Sequence, residues 1–84
     1  MGKAQQIELN IELSDKLANF LVTKPDMLKR YAGYSYVVFS STNFGLNKLN
    51  EHLIEELLLE GNGVIKATET GNLSKPWEFS KVIN

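Results

Sequence analysis

The chain has 84 residues, enough for one small domain (1–84) with a thin core. It is 43% hydrophobic and 23% charged, the balance of a globular protein, and its net charge of −1 supplies no basic footprint for nucleic acid. The absence of cysteine excludes a disulfide framework and a thiolate metal site and fits a reducing cytoplasm.

The first residues, Met1 to Gln6, lack the apolar stretch of a signal peptide, and Gln6 stands where a myristoylation signal needs Ser or Thr. They read as a flexible lead-in. No apolar run reaches the roughly 18–20 residues of a membrane span.

Residues 7–13 alternate between apolar and polar, which alone reads as a half-buried strand. Extended to Val22, the stretch shows helical order. Glu8, Glu12, Asp15, Lys16 and Asn19 fall in one arc. Ile7, Leu9, Ile11, Leu13, Leu17, Ala18, Phe20, Leu21 and Val22 fill the rest, interrupted by Asn10 and Ser14. The helix accounts for more residues than the strand and is the reading adopted. Its apolar arc, roughly 200° wide, exceeds one packing surface and calls for cover from two directions. One cover is the sheet; the other is a neighbouring helix or a second copy of the chain.

Pro25 ends this helix, and Thr23 is placed to cap a short second one, with Asp26 as its capping-box partner. Met27, Leu28 and Tyr31 give that helix an apolar face, and Gly33 stops it. Tyr34 to Ser40 is aromatic and β-branched without clean alternation, as in a strand buried on both faces. From Phe44 to about Glu60 the pattern is helical again. Leu46, Leu49, Leu53, Ile54 and Leu57 share one face, and Lys48, Glu51, His52, Glu55 and Glu56 the other. Gly61-Asn62-Gly63 terminates it. Val64–Thr70 and Trp77–Ile83 read as strands joined by a turn at Gly71-Asn72, with Pro76 at a strand start. The result is an α/β (α+β) fold of order α-α-β-α-β-β: a right-handed βαβ crossover, a C-terminal hairpin and a small three-stranded mixed sheet. Were residues 7–13 a strand, the order would be β-α-β-α-β-β. That order is similar to archaeal chromatin proteins of the Alba type and would favour nucleic-acid binding.

Ser40, Ser41, Thr42 and Asn43 follow the first strand and precede a helix, where open α/β sheets bind ligands and free N–H groups attract anions. Together with Asn47 and Asn50 they form the candidate ligand site. The plainer reading is that Thr42 or Asn43 caps the helix. No phosphate-loop or dinucleotide fingerprint is present. Asn10, Ser14 and Asn50 interrupt apolar faces, and buried amides must find partners. They are expected to bond one another or a strand end, with a polar spot at a pocket or self-contact as the functional alternative. His52 stands alone on a charged face, so no metal set is legible. Lys24, Lys29 and Arg30 near Tyr31, Tyr34 and Tyr36 form a weak signal for single-stranded nucleic acid. Leu59 sits opposite the apolar face of its helix. With the wide face carrying Leu9, Leu13 and Phe20, and an exposed sheet edge, it forms a candidate interface.

The pattern Glu8-Leu9-Asn10-Ile11-Glu12-Leu13, then Phe20-Leu21, Pro25-Asp26, Val37-Val38-Phe39, Leu46-Asn47 with Asn50, and Glu60-Gly61 with Val64 resembles a small prokaryotic family of uncharacterised function. The resemblance covers about residues 7 to 67. It implies a small intracellular prokaryotic domain and brings no activity, cofactor or catalytic residue. That family carries an acidic loop after its first strand, where this chain has Ser40-Ser41-Thr42-Asn43.

The expectation is a cytoplasmic, non-enzymatic interaction or regulatory module. It would be a homodimer or pair with a small protein partner, without cofactor, metal or membrane. A small-molecule or nucleotide binder using Ser40–Asn43 is the alternative, and a nucleic-acid binder the third reading.

Overall fold

The computed structural model describes residues 2–82. Six elements follow in the order α1 (Lys3–Leu21), α2 (Pro25–Arg30), β1 (Ser35–Phe39), α3 (Phe44–Leu59), β2 (Val64–Glu69) and β3 (Trp77–Val82). The sheet order is β1-β2-β3, with β1 parallel to β2 and β2 antiparallel to β3. The fold is therefore α+β, with a small mixed sheet.

Residues 7–13 are helical, so tertiary order follows the longer 3.6-residue period and not the short alternation. α1 also starts four residues before its apolar pattern does. Residues 3–6, expected as lead-in, form its first turn, because Lys, Ala and Gln are strong helix formers and Gln6 finds a partner on α3. The wide apolar arc divides in two. Leu13, Leu17 and Leu21 are buried, with Leu9 and Phe20 packed beside them, while Ile7, Ile11 and Val22 face outward. Thr23 does not cap α2. Its hydroxyl donates back to the Phe20 carbonyl at 2.6 Å, and Lys24 takes the N-cap position ahead of Pro25.

β1 is buried on both faces. Val38 joins the α1 side with Leu13, Leu17, Leu46, Ala67 and Trp77. Val37 and Phe39 join the α3 side with Ile54 and Val64. α3 is capped by Asn43, whose side chain accepts from the Leu46 N–H, and stopped by Gly61 at φ 85°. There the Asn62 and Gly61 N–H groups bond the carbonyls of Leu57 and Leu58, a Schellman ending. No helix among the described residues is long and apolar enough to cross a membrane.

Candidate functional site

The polar residues singled out in the sequence converge on the outer edge of β1. Asn47 and Asn50, about one turn apart, lie on the inner side of α3. The Asn47 side chain accepts from the Ser40 N–H at 2.7 Å and donates to the Ser40 carbonyl at 2.8 Å, as a neighbouring strand would. Asn50, 0% exposed, donates to the Val38 carbonyl and to Asn10 Oδ1, both at 2.8 Å. Its own Oδ1 accepts from Asn10 Nδ2 at 3.2 Å and Gln6 Nε2 at 3.1 Å. Two donors and two lone pairs are the full capacity of an amide, and all are used. Two side chains of α3, held by α1, thus take the place of a fourth strand along the carboxyl-terminal half of this edge.

Ser40, Thr42 and Asn43 of the Ser40–Asn43 loop are also bonded within the protein. Ser40 Oγ accepts from the N–H groups of Thr42 at 3.1 Å and Asn43 at 3.0 Å. Asn43 Oδ1 takes the Leu46 N–H at 3.0 Å, and the Asn43 carbonyl takes the Asn47 N–H at 3.2 Å. At this helix N-terminus the N–H groups of Leu46 and Asn47 are engaged inside the protein, while those of Phe44 and Gly45 have no partner among the described residues. Ser41 is exposed at the bend. Ser14, expected near Asn10, is exposed on the outer side of α1 and lies outside the amide network.

Leu9, Leu13 and Phe20 point into the core in the isolated chain, whereas Leu59 is 88% exposed. The outward apolar residues of α1 are Ile7 at 53%, Ile11 at 58% and Val22 at 72%, with the exposed Ala18 between them. Periodicity placed all of these in one arc and could not divide it. Ile7, Asn10, Ile11 and Ser14 border a shallow hollow of about 320 Å³ in which the small Ser14 leaves the depression. Glu8, Glu12 and Asp15, all exposed, run along one rim of this stripe, and none has an ion-pair partner among the described residues.

Lys24, Lys29 and Arg30 are exposed, but the tyrosines beside them pack on each other. Tyr31 lies 6.2 Å from Tyr34 and 6.5 Å from Tyr36, which continues to Phe79 and Phe20. The stacking faces that single strands use are largely turned inward. The Tyr36 hydroxyl is buried with no hydrogen-bond partner among the described residues. Burial, and secondarily Tyr31, pushes its pKa above the ordinary phenol value. His52 lies 3.7 Å from Glu55 on the exposed side of α3. One feature had no sequence signal. A cavity of about 310 Å³ lies between α1 and the β2–β3 loop, walled by Phe20, Leu73, Pro76 and Trp77 and edged by the Lys16–Glu69 ion pair at 3.5 Å.

No protein-family model matches the chain, and no curated protein or solved structure matches it significantly. Function therefore rests on the geometry.

Proposed function

We propose that the chain is a non-enzymatic protein-interaction module that works as a homodimer and presents the outer stripe of α1 to a second protein. The resemblance to a small prokaryotic family gives it a cytoplasmic setting. The observation that carries the reading is the pairing of two facts. The side-chain amides of Asn10, Asn47 and Asn50 are bonded within the fold, while α1 leaves Ile7, Ile11 and Val22 uncovered. A row of exposed large apolar residues on one helix is a docking surface far more often than scattered surface leucines are. Its rim decides the partner's chemistry. Glu8, Glu12 and Asp15 favour an amphipathic helix whose own apolar row is edged by Lys or Arg. An antiparallel self-pair of α1 would set these acidic rims side by side, so the second copy is better seated elsewhere.

The test is capture from native lysate with the wild-type chain and with Ile7→Lys/Ile11→Lys, which keeps helix propensity and reverses the surface. A protein held by wild type, lost from the variant and released by salt is the expected result. Equal capture by both, with matching melting curves, counts against the stripe. The small-molecule reading loses its main support, because the donors of Ser40–Asn43 are largely engaged internally.

A further inference from the structure

The two edges of the sheet are treated oppositely. On β1, Asn50 occupies the outward carbonyl of Val38, and Asn47 occupies the N–H and carbonyl of Ser40. On β3 no side chain does so among the described residues. The register of β3 shows what is left open. Thr70 N–H bonds the Pro76 carbonyl, and pairing continues without a bulge from Glu69–Trp77 to Val64–Val82. In an antiparallel ladder of this phase, Glu78, Ser80 and Val82 turn their backbone groups toward β2. Trp77, Phe79 and Lys81 turn theirs outward. The strand contains no proline, and the Lys81 ammonium is drawn aside over the Tyr34 ring at 5.0 Å.

The whole-chain surface agrees with a missing partner. The chain exposes 5685 Å² at 9.5 kDa, against about 5,050 Å² for a folded monomer of that mass. The excess, about 600 Å², is open surface available to a second chain, and a stable interface takes roughly 800 Å² from each partner. The molecule is also a slab of 34 × 30 × 17 Å, a shape in which a sheet can extend sideways.

We propose that a second copy of this chain occupies the β3 edge, antiparallel about a twofold axis at Phe79, so that two three-stranded sheets become one of six strands. This rests on the reading of the chain as a homodimeric module and names the seat of the dimer. A twofold axis perpendicular to the sheet keeps each side chain on its own face, so each residue meets one of like parity. Centring on Glu78 or Lys81 sets like charges opposite one another. Centring on Phe79 pairs the two half-buried phenylalanines, sets Trp77 opposite Lys81 of the second copy and Glu78 opposite its Ser80, and opposes no like charges. The outward groups of Trp77, Phe79 and Lys81 then complete a main-chain ladder.

The test is sedimentation equilibrium of the full chain up to high micromolar concentration, with far-ultraviolet circular dichroism to confirm folding. Lys81→Pro removes an outward N–H that β2 does not use, so the monomer fold tolerates it. The wild type should be dimeric, and Lys81→Pro should raise the dissociation constant by at least about tenfold. Ser80→Lys, which faces Glu78 of the second copy, should tighten the dimer several-fold, and Ser80→Glu should loosen it. A folded Lys81→Pro that dimerises like wild type overturns the β3 seat while leaving the homodimer standing. Loosening by Ser80→Lys overturns the Phe79 register. A wild type that stays monomeric overturns both the seat and the homodimer; stripe-dependent capture of a protein by that monomer would leave the interaction module intact.

Discussion

Replacing Asn50 by leucine tests the account of the β1 edge most severely, because leucine keeps the branching and the number of heavy atoms while removing every polar atom, at the cost of a somewhat larger side chain. The substitution removes four hydrogen bonds at 2.8–3.2 Å without opening a large cavity. Gln6 and Asn10, only partly buried, can turn toward water. The Val38 carbonyl cannot, since Val38 is 4% exposed beneath α3. An orphaned buried carbonyl costs about 1–3 kcal/mol, and the lost amide pair adds roughly 1 kcal/mol. The added apolar surface offsets part of this, so the expected loss is about 2–4 kcal/mol. Urea unfolding followed by circular dichroism reads it, with an unchanged m-value showing that the folded state persists. A double-mutant cycle with Asn10→Ala should return a coupling of about 0.5–3 kcal/mol. A loss under about 1 kcal/mol, or two substitutions that simply add, would refute the idea that this network holds α1, α3 and β1 in register.

Asn47→Ala should cost about 1–3 kcal/mol, because it strips both the N–H and the carbonyl of Ser40 of their partner; chemical denaturation measures it. Tyr36→Phe should leave neutral-pH stability unchanged or raise it by up to about 1 kcal/mol, since the hydroxyl it removes is buried without a partner among the described residues. It should also change the alkaline limb. The folded protein holds the Tyr36 proton above the ordinary phenol value of 10.0, where the unfolded chain releases it. That contribution is full below about pH 10 and is lost as pH rises beyond it, so wild type should lose stability there faster than Tyr36→Phe. Thermal-shift screening against nucleotides and phosphorylated metabolites should give no response; a ligand at a hundredfold its dissociation constant would add about 2.7 kcal/mol and revive the loop as a site.

Much of the fold was legible because it rests on local signals. The α3 face and the Gly61 stop follow from side-chain period and backbone sterics, and both stand as read. The amides were legible in kind: Asn10 and Asn50 interrupt apolar faces, and buried amides take partners, here each other and a strand carbonyl. What the pattern cannot supply is depth. Ile7, Ile11, Leu13 and Leu17 share a helical arc, yet the first two are exposed and the last two buried. The choice depends on where the sheet lies, which no local window contains. For the same reason Leu9, Leu13 and Phe20 could be read as interface residues, and Gln6 as part of a loose end. The cavity beside Trp77 arises from residues spread between Lys16 and Trp77, so no spacing announced it.

The contrast between the two edges connects the fold to the proposed function. A three-stranded sheet has two edges, and an open edge recruits whatever strand it meets. This chain commits the buried Asn50 and the half-buried Asn47 to the β1 edge, at the expense of apolar packing that leucines could have supplied there. Bonds at that edge oppose unplanned pairing there, as the proposed single pairing site would require. On β3 the same geometry carries no substitute ladder. Its side chains, the exposed Glu78 and Ser80 on one face and the half-buried Phe79 on the other, are soluble enough to persist unpaired and self-complementary when doubled. If both edges were simply tolerated surface, adding back an open β1 edge through Asn47→Ala would leave the oligomeric state unchanged. If closure there is what limits the assembly to two, that variant should form species larger than a dimer as concentration rises.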